Sequence, residues 1–401
     1  MGGNAFHFLD EDAFPRLPPA VYQRLKSRLF SVIQTLYSHV TVPIEAPEKN
    51  EYGDLDFLVF SPKPEAFSST AERSINVPHE VVKEAIGAHH FIPADGNRTS
   101  NFAVPISRGE WSTLGFEREE LEVRKKVKDD GEIYYQVDVH VCADKKEWDR
   151  IYFYNSYGDL GMIMGLIASN AGLQLGSKGL HYSYPPHPRL LLSDDFDKIT
   201  RFFGWSMETR NAGFKTRKEI FEWVMTSRFF DPARFRTQGD GIRKVKAQRT
   251  MYSDFVECAN NLQRASPSPT SERRESTGTT TSARDEALEY FGKKQEVETQ
   301  ICEYGARKRM KDVFNGNTVR SWMLASNWKD VKDTMDSVRA RYGGDEGVMK
   351  LLEAEGEEVL QKRVLEAFEK LKMEDSTPIS ISNDTFAFRS EPITISEVVL
   401  Q

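Results

Sequence analysis

The chain has 401 residues, a formal net charge of −7, and 39% hydrophobic and 11% aromatic residues, enough for two or three domains with sizeable cores at roughly 150 residues each. The acidic balance excludes a globally basic nucleic-acid binder, and no apolar run approaches the length of a membrane span. The N-terminus, MGGNAFHFLDEDAFPRLPP, lacks the basic-then-apolar order of a secretory signal, and Phe6 stands where a myristoylation pattern wants Ser or Thr.

Three cysteines, Cys142, Cys258 and Cys302, form no CxxC pair, which fits a reducing compartment and gives no zinc site or disulfide framework. The expectation is an intracellular protein, of cytoplasm or nucleus, with no membrane partner. A local basic groove stays open, with RKKVKDD (Arg124 to Asp130) and RKVKAQR (Arg243 to Arg249) as candidates, although such runs are usually solvated faces or turns.

In chain order, Val21 to Val40 places Leu25, Leu29, Ile33 and Leu36 at helical spacing and predicts an amphipathic helix. EYGDLDFLVF (Glu51 to Phe60) follows as a strand. A helix is expected from about Pro78, running into a short strand, and Thr99 to Ile106 alternates as another strand. FEREELEVRKKVKDDGEIYYQVDVHVC reads as a hairpin turning at Asp129 to Gly131, its second arm Ile133 to Cys142. Helices follow around EWDRIYFYNS and over GDLGMIMGLIASNAGLQL, with Gly172 near the end of the second. YPPHPRLLLS is extended. DDFDKITRFFGW and TRKEIFEWVMTSRFF are helices, the latter with Thr216 as N-cap.

From Arg264 to Ala283 the composition turns to Ser, Thr, Pro and Arg, which cannot bury a core. Beyond it the chain reads as helical to Lys372, and the tail holds TFAFRS and PITISEVVL as candidate strands. The organisation is thus α/β (α+β): a catalytic part over residues 1–160, a helical extension over 161–262, a disordered linker over 263–284, a helical C-terminal part over 285–372, and an extended tail over 373–401.

The strand at 54–60 raises a physical question, because Asp54 and Asp56 sit one residue apart on an otherwise apolar run. Residues i and i+2 of a strand share a face, so two like charges stand side by side and lose solvation together. Asp138, between Val137 and Val139 in YYQVDVHVC, is a third acid on an apolar strand. If the two strands are neighbours, three carboxylates converge into a hard-oxygen site suited to Mg²⁺ or Mn²⁺, as phosphoryl and nucleotidyl transfer require.

YGDLDFLVF with YQVDVHV resembles the Gly-Asp-x-Asp and later hydrophobic-Asp-hydrophobic signature of the DNA polymerase beta-like nucleotidyltransferases. SNFAVPI and YYQVDVHVCADKKEWDRIYFYNS are similar to minimal nucleotidyltransferase-like proteins of large phages, viruses and fungi, as is RFFGWSMETRNAGFKTRKEIFEWVMTSRFF. VFNGNTVRSWMLASNWKDVKDTMDSV weakly resembles the helical tail of CCA-adding and poly(A)-adding enzymes.

The resemblance implies a mixed-sheet nucleotidyltransferase fold that transfers a nucleoside monophosphate from a triphosphate to an acceptor hydroxyl. RNA 3′ ends are one acceptor class. Asp54, Asp56 and Asp138 are then both the catalytic and the metal-binding residues, with Asp138 nearest the attacking hydroxyl. The chain departs from the superfamily where a Gly-Ser or Gly-Gly turn is expected: TVPIEAPEKNEYGD holds no such pair. Gly2-Gly3-Asn4 has the chemistry of an anion nest and Lys49 offers positive charge; with Gly53 these are the nucleotide-binding candidates.

Other residues have plainer readings. A Asp-x-Asp pair alone fits a Mn²⁺ glycosyltransferase, and a degenerate relative can keep the strands and only bind nucleotide or a protein partner. His140 shares the face of Asp138 and reads as a hydrogen-bonding neighbour, and His181 is a weaker candidate for touching phosphate. GSKG (Gly176 to Gly179) lacks P-loop spacing and reads as a turn. Trp205, Phe214, Phe221 and Trp223 read as core. Lys215, Arg217 and Lys218 at a helix start oppose the macrodipole and hint at an anion.

Overall fold

The computed structural model describes residues 5–66, 76–93, 98–128, 131–235, 249–265, 282–325 and 327–375. The chain divides into two compact units, Met1–Val297 and Glu298–Gln401.

The first unit opens with α1 (Pro19–Leu36), whose buried Val21, Leu25, Leu29 and Ile33 recur at helical spacing. The helix passes directly into β1 (Tyr37–Thr41), then β2 (Asp54–Pro62), α2 (His79–Ile86), β3 (His90–Ile92), β4 (Thr99–Pro105), α3 (Glu117–Arg124) and β5 (Tyr134–Val141). The five strands form one mixed sheet in the order β1-β2-β5-β4-β3. Only the central pair, β2 and β5, runs parallel, and its register sets Asp56 opposite Asp138. One sheet face carries Leu55, Phe57, Val59, Val137 and Val139 into a core shared with α1. That burial, about 1.5–3 kcal/mol for each large side chain, fixes the register, because a one-residue slip would turn these side chains to the other face.

Next come α4 (Lys145–Asn155), α5 (Leu160–Asn170), β6 (Leu173–Gly176), β7 (Gly179–Tyr182), β8 (Leu190–Ser193), α6 (Phe196–Phe203), α7 (Met207–Ala212), α8 (Arg217–Met225), α9 (Thr250–Ala265) and α10 (Ala283–Tyr290). Strands β6, β7 and β8 make a separate three-stranded antiparallel sheet. These elements share a core holding Trp205, Phe221 and Trp223, with Phe214 packed against it. GSKG is the turn joining β6 to β7, and Thr216 caps α8 by accepting from the Glu219 N–H.

The second unit packs α12 (Gly316–Met323), α13 (Trp328–Tyr342), α14 (Asp345–Glu355) and α15 (Glu357–Asp375) around Val319, Val338, Val348, Leu352, Leu360 and Val364. The unit boundary falls within α11 (Lys294–Val313).

Several sequence expectations are corrected. The first arm of the expected hairpin, at Glu117, is helical: acids crowd its first turn and Arg124 closes its last, as the helix dipole favours. Its Glu120 is buried as an acceptor for the Gly109 and Trp111 N–H groups and for Arg124. The helix expected to reach Val40 ends at Leu36, because Tyr37 to Thr41 is an edge strand paired to β2.

The segment 161–262 is not purely helical, since it contains the small sheet. The composition boundary at 285 also moves. Ala287 and Leu288 of α10 and Val297 belong to the first unit's core. The linker reading is bounded by α9, which runs to Ala265, and by Ser282, which caps α10. Residues 266–281 lie outside the described residues, as do Asp129, Asp130, Arg243 to Gln248, and the tail segments TFAFRS and PITISEVVL. Cys142, Cys258 and Cys302 are free thiols. No described helix is long and apolar enough to cross a membrane.

Candidate metal centre

The face of β2 opposite the core carries Asp54 and Asp56 and then turns apolar. Leu58 is buried with Cys142 and Ile151, and Phe60 and Trp148 pack on them. Helix α4 therefore covers the C-terminal half of this strand face, and the two acids remain beyond its cover. On β5 the same face presents Gln136, Asp138 and His140. Carboxylate oxygens of Asp54, Asp56 and Asp138 all lie within 4.8 Å of one another.

The cluster is electrostatically expensive. At 4.8 Å two ionised carboxylates repel by about 3–4 kcal/mol at an effective dielectric near 20. Asp56 is exposed, while Asp54 and Asp138 are half-buried. The Asp56 carboxyl is pushed well above the ordinary range, first by desolvation, then by Asp54, Asp138 and Glu45, with Lys49 pulling the other way. Asp138 is raised from 3.8 to about 6 by burial and by Asp54. Two amides oppose that rise. Asn101 on β4, directly across the ladder, donates Nδ2–H to Oδ1 at 2.6 Å, and Gln136 donates Nε2–H to both oxygens at 3.1 Å. An Asp held by two donors keeps one orientation, and its remaining lone pairs are free to point at the other acids.

The donor set fits a divalent cation. Three carboxylates on a rigid ladder supply hard oxygen ligands and a negative charge that a cation relieves. Among the described residues this is the one group of three such side chains within ligating distance.

The remaining sequence candidates are placed less uniformly. Gly53 is buried and leads directly into β2. Lys49 is engaged: its ammonium meets Glu45 Oε2 at 2.5 Å and lies 4.5 Å from the centroid of the Tyr52 ring. Gly2, Gly3 and Asn4 lie outside the described residues. Ala5, which follows them, donates its N–H to Gln136 Oε1 at 3.5 Å, one face-neighbour away from Asp138. His140 pairs with Thr99 Oγ1 at 2.7 Å and stands outside the carboxylate group. His181 belongs to β7 in the other sheet.

Arg217 departs from the anion reading. Its backbone N–H meets Glu48 and its guanidinium meets Asp254, Pro47 O and Glu48 O, tying α8 to the loop before β2 and to α9. Lys218 pairs with Glu222.

Three residues of the neighbourhood carried no sequence assignment. Gln136 had a usable signal, since it lies two residues before Asp138 and shares its face. Asn101 required the β4–β5 register, and Glu45 required the path of the loop before β2; neither has a local signature.

A scan of the chain against protein-family models gives no match, and a search of curated proteins gives none either.

Proposed function

We propose that this chain is a Mg²⁺- or Mn²⁺-dependent nucleotidyltransferase with a DNA polymerase beta-like catalytic fold over its first sheet. The observation that carries the reading is the convergence of Asp54, Asp56 and Asp138 from two adjacent parallel strands, with oxygens within 4.8 Å. A glycosyltransferase built on a Asp-x-Asp pair needs no third carboxylate from a neighbouring strand, so that rival leaves Asp138 unexplained.

In this reading Asp54, Asp56 and Asp138 hold the cation, which when bound neutralises charge on phosphoryl oxygens and makes an acceptor hydroxyl more acidic. Asn101 and Gln136 fix the Asp138 carboxylate, so its position does not depend on the ligand. The acceptor oxygen bonds to the α-phosphorus of a nucleoside triphosphate, the bond to the β-phosphate bridge breaks, and pyrophosphate departs. Asp138 is the leading group to take the hydroxyl proton. The acceptor class favoured by the weak tail resemblance is an RNA 3′ end. The triphosphate contact is assigned to Gly2, Gly3 and Asn4, and support for it is the Ala5 contact with Gln136.

The test is pyrophosphate release with each of the four ribonucleoside triphosphates and Mg²⁺ or Mn²⁺, for wild type, Asp54→Ala and Asp138→Ala. Release that depends on a divalent cation and disappears in both variants supports the reading. Release that survives in both removes it. Binding of a nucleotide without release in the wild type points instead to a nucleotide-binding relative without turnover.

A further inference from the structure

A pocket of about 910 Å³ lies among α4, the turn from β8 into α6, and α7. Its wall mixes apolar side chains, Phe153, Leu192 and Met207 among them, with Arg150 and Arg210. A cavity of this size and mixed lining suits a small organic molecule.

Arg210 is the feature without an internal explanation. It is 5% exposed, and among the described residues no carboxylate pairs with it. Its Nη2–H donates to the Phe153 carbonyl oxygen, and its guanidinium lies 3.8 Å from the Phe153 ring centroid, with Tyr157 and Trp223 at 5.3 and 5.7 Å. Its Nη1 has no acceptor and is sealed from solvent, so it adds to the cost of burial, and a ligand in the pocket meets the guanidinium at its other donors. Arg150 on the same wall has a second donor in this condition, its Nε.

Ring contacts offset about 0.5–2 kcal/mol, less than the several kcal/mol that enclosing an unpaired guanidinium costs. Burial accordingly lowers the Arg210 pKa to about 10, which still leaves it charged at neutral pH. Of the acids lining the pocket, Asp194 meets both Lys146 and Arg150, Asp149 meets Lys145, Asp195 caps α6, and Asp197 in the first turn of α6 makes no ion pair with Arg210.

We infer that this pocket binds a small organic anion, a phosphate or carboxylate on an apolar or aromatic body, with the oxyanion on Arg210 and Arg150. Guanidinium groups favour such oxyanions because several N–H donors lie in one plane. The site is distinct from the acidic triad and stands whether or not the proposed transfer chemistry does.

Isothermal titration in EDTA with phenyl phosphate, benzoate and neutral benzyl alcohol tests it, using wild type, Arg210→Lys, Arg150→Gln and Asp138→Asn. Expected is saturable binding of at least one anion and none of the alcohol, with the tighter anion identifying phosphate or carboxylate. Arg210→Lys and Arg150→Gln each weaken it about tenfold, the scale of one charge-assisted hydrogen bond, and Asp138→Asn leaves it unchanged. Should Arg210→Lys not fold, Arg150→Gln decides alone, because Lys146 still holds Asp194 there. The inference is overturned by no saturable anion binding to wild type, by equal binding of the alcohol, by unchanged binding in the folded arginine variants, or by loss of binding in Asp138→Asn.

Discussion

Replacing Asp138 by Asn should make the metal-free protein more stable while destroying its response to metal. In the wild type, burial and Asp54 raise Asp138 from 3.8 to about 6. A carboxyl whose folded pKa exceeds its unfolded value holds its proton more tightly when folded. Its stability contribution is therefore complete below about 3.8 and is lost as pH rises through about 6. At ~1.36 kcal/mol per pH unit, the loss at neutral pH is at most about 3 kcal/mol.

Asn does not titrate and escapes that loss. It keeps the Asn101 contact through its carbonyl oxygen but sets an NH₂ against the Gln136 amide, at a cost of about 1 kcal/mol. The net gain is roughly 2 kcal/mol, or a Tm rise of about 4 °C for a unit of this size. Urea unfolding and thermal melts in EDTA between pH 4 and 8 measure it: the difference between variant and wild type should be near or slightly below zero at pH 4 and reach its full value above pH 6.5. Adding Mn²⁺ should raise the Tm of wild type and leave the variant unmoved. A variant less stable than wild type in EDTA at pH 7.5 would refute the claim of mutual repulsion, and an undiminished Mn²⁺ shift would refute the metal centre.

Three further outcomes follow from the same geometry. Asn101→Ala removes a donor that holds the Asp138 pKa down, so Mn²⁺ must displace a more tightly held proton; affinity should fall several-fold at pH 6 and recover by pH 8, read by titration at both. Asp56→Asn should likewise stabilise the metal-free protein and abolish the Mn²⁺ shift, because Asp54 and Asp138 both act to raise its carboxyl pKa; a melt in EDTA against one in Mn²⁺ separates the effects. Glu120→Ala should destabilise by about 3 kcal/mol, since it orphans the Gly109 and Trp111 N–H groups and leaves Arg124 without its buried partner. A urea midpoint equal to wild type would show that the turn at Gly109 is held by other contacts.

Along the chain, what the sequence settled was whatever local pattern governs. The apolar spacing of α1, the Thr216 cap, the alternation of β4, and the conflict between two acids and an apolar strand are all properties of residues a few positions apart, and covalent geometry translates them directly into faces and ends. That conflict names Asp54 and Asp56, and Asp138 is named by its own place between two valines on a second apolar strand. Tertiary structure decided what depends on which strands become neighbours. The parallel β2–β5 register brings Asp138 opposite Asp56, the β4 partner supplies Asn101, and the turn of the chain after Thr41 brings Glu45 close enough to act on Asp56. Tyr37 to Thr41 became a strand, though helical spacing ran into it, because β2 offered an edge to pair with. Arg217 and Arg210 show the same limit: both are basic residues of short helices, and only packing made one an internal tie and left the other buried without a counter-ion. Contacts between residues far apart in sequence are set by the burial of whole faces, which no short stretch of sequence records.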